Sequence, residues 1–186
     1  MTTVFLSGSR KINRINDTIR QRIDNMVSKQ LSIIIGDANG ADKAMQSYLA
    51  EIAYPDVTVF CSGNRCRNNI GEWHTKNIVV TEHLSGRDFY AQKDKEMARL
   101  ADFGLVLWDG KSSGSMANVL ELLKLGTKVV VYFAPEKKFY NVGTTANVKA
   151  LLAKCDPADF DEINKKIKLT SSLREVQNSK QPALMF

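Results

Sequence analysis

Short apolar runs alternate with amphipathic stretches along most of this chain, and that alternation constrains the fold more than any other feature. Residues 3–7, 32–35, 57–60, 103–108 and 129–133 are apolar almost throughout, as strands are when both faces of a parallel sheet are covered. Between them, Ile15, Ile19, Ile23, Met26 and Val27 recur at helical spacing, and Ala41, Ala44, Met45, Tyr48, Leu49 and Ile52 do so again. Residues 89–100 and 113–125 predict two further helices. The outcome is an α/β protein built on a mainly parallel sheet of five or more strands.

The remaining segments are less regular. Residues 61–86 predict a short helix around 66–78 and a crossing loop. Pro135 ends the last apolar run, since proline offers no N–H to a ladder. Beyond it, 144–154 and 158–168 predict two short helices, the second with Asp156 as N-cap and Pro157 at the first helical position. The 186 residues divide into a ligand-binding domain over 1–135 and a C-terminal helical extension and tail over 136–186, packed on the same domain.

With 44% apolar and 25% charged residues, the chain has the composition of a globular domain and not of a disordered one. No apolar run approaches a membrane span, and no basic region leads into a long apolar stretch, so neither a membrane contact nor a secretory signal is expected. Cys61, Cys66 and Cys155 make an odd count without framework spacing, which predicts reduced thiols in a cytoplasmic protein. Cys61, Cys66, His74 and His83 include zinc-ligating atom types but no Cys-x-x-Cys unit, so no metal is expected, and no cofactor. The net charge of +6 is concentrated at the ends: residues 1–30 carry six basic against two acidic side chains, and 135–186 nine against six. A nucleic-acid patch would interleave aromatic residues with such a run. None are interleaved, so solvated surface is the plainer reading. Trp73 and His74 lie near Arg65, Arg67, Asn68 and Asn69 and suit either stacking on a base or packing on the core.

Three strand ends carry the chemistry. They are Ser7-Gly8-Ser9-Arg10, then Gly36-Asp37-Ala38-Asn39-Gly40-Ala41-Asp42, then Asp109-Gly110-Lys111-Ser112-Ser113-Gly114-Ser115. Glycine and small polar residues after a buried strand let backbone N–H groups approach an anion. In an open parallel sheet, ligands bind at the carboxyl ends of the strands where strand order reverses. Gly8, Ser9, Arg10, Gly36, Ser113, Gly114 and Ser115 therefore predict a phosphate cradle, in which Arg10 offers a bidentate contact, and Gly40 and Ser112 are further candidate ligand contacts. Asp37, Asn39, Asp109 and Asn118 are candidates for holding a sugar or base. Asp42 suits a ligand contact or a cap in the first turn of its helix, and Asp94 a ligand contact or a surface ion pair. The expected ligand is a nucleotide or a nucleotide-derived compound.

The order of these motifs, with Trp108 before Asp109 and Asn118 after Ser115, resembles the SLOG superfamily over residues 3–133. That group comprises Rossmann-like domains similar to the cytokinin-activating phosphoribohydrolases and to the DNA-processing protein of transformation. The likeness is nearest to its small bacterial and phage members, whose second corner has a Gly-Gly-Ala-x-Gly-Ala-Asp pattern. It implies a Rossmann-like three-layer sandwich, a nucleotide-type ligand at this sheet edge, and a dimer formed through helices flanking the sheet. Its hydrolytic members cleave an N-glycosidic bond with the glutamate of a Gly-Gly-x-Gly-Thr-x-x-Glu motif. Here Gly114 and Ser115 match the Gly-Thr pair, but Asn118 stands at the glutamate and Lys111 and Ser112 replace the leading glycines. Asparagine cannot supply the negative charge that such cleavage needs. Glu121, one turn further on, and Asp109 are then the candidate catalytic carboxylates of a nucleotide N-glycosidase.

The chain closes on Gln181-Pro182-Ala183-Leu184-Met185-Phe186. Gln181, Leu184 and Phe186 resemble the peptide by which bacterial replication proteins dock on the sliding clamp, which adds a nucleic-acid-processing accessory to the alternatives. A tail folded back on its own domain is the other reading.

Overall fold

The computed structural model describes residues 1–79 and 86–179 and places seven strands in one sheet. They are β1 (Thr3–Gly8), β2 (Ser32–Gly36), β3 (Val57–Ser62), β4 (His74–Ile78), β5 (Phe103–Trp108), β6 (Lys128–Phe133) and β7 (Lys138–Val142). Their order is β4-β3-β2-β1-β5-β6-β7, parallel throughout except that β7 runs antiparallel to β6. Strand order reverses between β1 and β5. Sequence-successive strands β1 to β4 build outward on one side of that point, and β5 to β7 on the other.

The pleat divides the core into two layers, as alternation along a strand requires. Phe5, Ile34, Phe60, Val106 and Trp108 face one side and pack with α3 (Gly86–Leu100), α4 (Ser113–Lys124) and the C-terminal helices α5 (Thr145–Leu152), α6 (Pro157–Ile167) and α7 (Leu169–Ser179). Val4, Leu6, Ile33, Ile35 and Leu107 face the other and pack with α1 (Asp17–Val27) and α2 (Ala41–Glu51). The result is the three-layer, Rossmann-like α/β sandwich. Each fully buried apolar side chain, such as Ile23 or Leu49, contributes about 1.5–3 kcal/mol relative to exposure.

Three segments differ from their sequence-based expectation. Residues 66–78 form no helix: 74–78 are β4, paired in parallel with β3 from Thr58↔His74 to Ser62↔Ile78. This strand forms one edge of the sheet and is only partly buried, so it needs no apolar run to betray it. The sheet also continues past Pro135, because a short 3₁₀ turn leads into β7. A third C-terminal helix, α7, follows α6 directly, at a Lys168 whose φ of 49° ends the first helix. Leu169, Leu173 and Val176 supply its buried stripe. Asp156 caps α6 by accepting from the Ala158 N–H at 2.9 Å.

The expected reduced thiols are corrected in part. Cys61 ends in the core at the close of β3, and the returning loop brings Cys66 to a Cα separation of 5.1 Å, where the two form a disulfide. Cys155 is a free thiol whose pKa burial pushes up to about 11. His83 and the terminal residues Gln181, Leu184 and Phe186 lie outside the described residues. No helix among the described residues is long and apolar enough to cross a membrane.

Candidate functional site

Ser9 ties the strand ends together. Its N–H donates to Leu107 O at the end of β5 (2.8 Å), its carbonyl accepts from Ala41 N at the start of α2 (3.0 Å), and its hydroxyl donates to Asp109 Oδ2 (2.7 Å). One residue of the first corner thus binds both others. Asp109 extends the knot, because its Oδ1 accepts from the N–H groups of Lys111 (3.1 Å) and Ser112 (2.8 Å). Ser112 then caps α4 by accepting from the Ser115 N–H at 3.2 Å. Trp108, fully buried, donates its indole N–H to Ser112 O at 3.1 Å and holds the same turn from below. Asn118 Nδ2 reaches back to Ser7 Oγ at 2.7 Å, fixing α4 against β1.

These links open a cleft of about 670 Å³ at the point where strand order reverses. Gly8, Ser9 and Arg10 line it from the first corner, Asp42 from α2, and Asp109, Ser112, Ser113, Gly114, Ser115 and Asn118 from the third. The remaining candidates of the second corner are not part of its wall. Gly40 is left-handed (φ 85°), and a Cβ there would lie 2.4 Å from the Arg10 backbone, so it lets two corners pack together. Asn39 Oδ1 accepts from Asn68 Nδ2 at 3.0 Å. Asp37, 1% exposed, accepts a bidentate pair from Arg67, Nε to Oδ2 at 3.1 Å and Nη2 to Oδ1 at 2.5 Å, and also the Arg67 N–H at 3.0 Å. Gly36, Asp37, Asn39 and Gly40 are therefore placed in the frame of the site and not on its surface. Glu121 lies in a separate groove of about 350 Å³ with Lys95, Lys124 and Lys166.

At the cleft wall the acids Asp42 and Asp94 gather around Lys93, a residue that the pattern did not single out. Lys93 of α3 is 3% exposed; its ammonium donates to Asp94 Oδ1 at 2.7 Å and lies 4.0 Å from Asp37 Oδ1. Burial favours the neutral amine, yet the charges of Asp94, Asp42 and Asp37 outweigh it and hold Lys93 above the usual lysine range. Burial pushes Asp42 up to about 6 despite the attraction of Lys93, and the charge of Asp94 adds to the rise. For Asp37, burial also acts upward, but the Arg67 hydrogen bonds and the Lys93 charge win and hold its carboxyl below the ordinary range. The signal for Lys93 was available: Tyr90, Lys93 and Met97 share one helical face, and Met97 is fully buried.

Tyr90 also escaped the pattern. Its ring lies under two guanidinium groups, Arg67 at 4.2 Å and Arg10 at 5.5 Å from the centroid, and all three line the cleft. Trp73, in contrast, packs on the core and donates its indole N–H to Tyr54 O at 2.8 Å. On the far rim, α6 supplies Asp159, which pairs with Lys111 at 2.9 Å. Asp37, Cys61 and Cys66 bring three potential metal-ligand atoms within 4.8 Å of one another. Both sulfurs are bonded to each other and both carboxylate oxygens accept from Arg67, so those donors are engaged.

No family model matches this chain, and no curated protein does. Among solved structures, DNA processing protein A from Helicobacter pylori is similar, with a TM-score of 0.56 and 16% sequence identity over 90% of this chain and 80% of that one. That structure concerns the single-stranded DNA binding mode of the Helicobacter protein. At this identity the likeness is one of fold: the two chains share a Rossmann-like α/β architecture.

Proposed function

We propose that this protein binds a nucleotide or nucleotide-derived ligand in the cleft between the ends of β1 and β5. The observation that carries the reading is the Ser9–Asp109 hydrogen bond, which sets the first corner beside the capped N-terminus of α4. No acidic residue stands in the first turn of α4, so the N–H groups and the helix dipole there favour a phosphate. Arg10 adds positive charge at the cleft wall. Tyr90 offers an aromatic ring on which the Arg10 and Arg67 guanidinium groups lie.

Binding is better supported than bond cleavage. N-glycosidic hydrolysis asks for a carboxylate aimed at the sugar. Asp109 already accepts from Ser9, Lys111 and Ser112, and Glu121 faces another groove. A second reading, nucleotides presented within a single DNA strand, is favoured by the likeness to DNA processing protein A and by the net charge of +6.

Titration calorimetry with nucleoside 5′-monophosphates and with a short oligodeoxynucleotide, each at low and high salt, tests both readings. Saturable mononucleotide binding that weakens by about tenfold or more in Arg10→Ala supports the first. Binding of the oligonucleotide alone, with a steep salt dependence, replaces it with the second. Free base released during the titration would restore the hydrolase.

A further inference from the structure

We propose that the Cys61–Cys66 bridge is an exchangeable redox site coupled to the cleft through Arg67, so that its reduction by a dithiol weakens the hold of Arg67 on the cleft wall. The proposal concerns the wall itself and stands whichever ligand the cleft takes. The bridge is local: it joins the end of β3 to a point only five positions further on, with a Cα separation of 5.1 Å. Closing so short a loop constrains the unfolded chain least, so the main consequence of the bridge is local order. Cys61 is fully buried, whereas Cys66 is partly exposed and Asn64 and Arg65 before it are exposed. Cys66 is therefore the sulfur that an external thiolate reaches. The next residue is Arg67, which lines the cleft.

Arg67 ties that loop to two other elements. Its N–H and guanidinium bond the Asp37 carboxylate after β2, and the guanidinium lies 4.2 Å from the centroid of the Tyr90 ring on α3. Asn68 extends the contact, its Nδ2 donating to Asp37 O at 2.8 Å. An Asp37 carboxylate oxygen and both sulfurs lie within 4.8 Å of one another, so the bridge and the ion pair share one small volume. Holding Arg67 on Asp37 keeps Cys66 beside Cys61 and raises the effective concentration of one sulfur at the other. Closing the bridge in turn keeps Arg67 on Asp37, and the two constraints favour each other by the same factor. The exchange itself is balanced. One thiolate of the reductant bonds to Cys66 Sγ as the Cys61–Cys66 bond breaks, and Cys61 leaves and takes up a proton. The second thiolate attacks the reductant sulfur of that mixed disulfide, and Cys66 leaves and takes up the other proton. The protein gains two electrons and two protons, and the dithiol becomes a cyclic disulfide.

The test equilibrates the full chain in buffers of graded ratio of reduced to oxidised dithiothreitol and traps free thiols by alkylation, with Cys155 as the constant background. The bridge is expected to open and close reversibly without denaturant. In Arg67→Ala, the ratio that leaves half the bridge open should fall by about tenfold. Tyr90→Leu alters a partly exposed residue of α3, outside the loop. It should lower the same ratio by about threefold, because it reaches the bridge by loosening Arg67. If Arg67→Ala does not fold, Tyr90→Leu carries the test. By reciprocity, the factor measured is also the loss in the hold of Arg67 on the wall when the bridge is reduced. A bridge that opens only in urea overturns the proposal and makes the disulfide a plain staple. Reversible opening at one and the same ratio in the wild type and the folded variants overturns the coupling to the cleft.

Discussion

Ser9 and Asp109, a hundred positions apart in sequence, share a 2.7 Å hydrogen bond that fastens the end of β1 to the turn opening α4. Through Asp109 Oδ1 the same carboxylate holds the N–H groups of Lys111 and Ser112, so it fixes the turn from which Ser113 and Gly114 open α4. Its importance lies in positioning.

Asp109→Ala is expected to weaken uridine 5′-monophosphate binding by about tenfold, and to cost about 1–3 kcal/mol of stability as Ser9 Oγ loses its acceptor. Asp109→Asn keeps one acceptor oxygen for the turn and should fall between the two proteins. Calorimetry and urea denaturation measure these effects. Undiminished binding in Asp109→Ala would separate the α4 turn from the ligand.

The Asp37–Arg67 pair is a matter of stability. Asp37 is buried, so removing Arg67 leaves a carboxylate with only the more distant Lys93. Arg67→Ala should cost about 2–4 kcal/mol at neutral pH. The sign with pH follows from the lowered pKa of Asp37. A depressed carboxyl stabilises the fold above its unfolded value and loses that contribution as pH falls through its folded value. The gap between wild type and variant should therefore narrow as the pH drops below about 4. A gap constant from pH 7 to pH 3 would count against the pair.

How much of this was legible follows from what each residue does. The central strands were visible because both their faces are buried, leaving unbroken apolar runs. β4 was invisible because it is a partly exposed edge, with polar His74, Lys76 and Asn77 where a run was sought. The three glycine corners marked the right end of the sheet, and the cleft does open there. What spacing could not reveal is which corner residues face the ligand and which brace the others. Asp37 and Asn39 are engaged by Arg67 and Asn68, about thirty positions further along, a relation with no local signature. Lys93 was masked by its neighbour Lys95, which made the helix read as a charged surface.

The Cys61–Cys66 disulfide closes a loop of six residues (sequence separation 5), and Arg67 follows it directly. Constraining so short a loop stabilises by about 2 kcal/mol in the chain-entropy account. Urea denaturation with and without a strong reductant should show that difference, and Cys66→Ser should reproduce the reduced value without reductant. Identical midpoints for all three would show that the bridge contributes nothing.

Asp42 makes the sharpest pH prediction. Its carboxyl titrates near 6 in the fold, above the unfolded value of 3.8. A raised pKa means that the folded state favours the protonated form. The advantage is complete below the unfolded value and is lost as pH rises from about 4 to about 6. The wild type consequently holds a charged Asp42 at a cost above pH 6. Asp42→Asn removes the charge at nearly constant shape, so it should be more stable than wild type by about 1–3 kcal/mol at pH 8, with the difference vanishing below about pH 4. If the carboxylate, which lines the cleft, meets the ligand, the same variant should bind uridine 5′-monophosphate more weakly while surviving more urea. Stability and affinity moving in opposite directions is the signature of a buried charge kept for a ligand. A variant that loses both would make Asp42 a structural partner of Lys93.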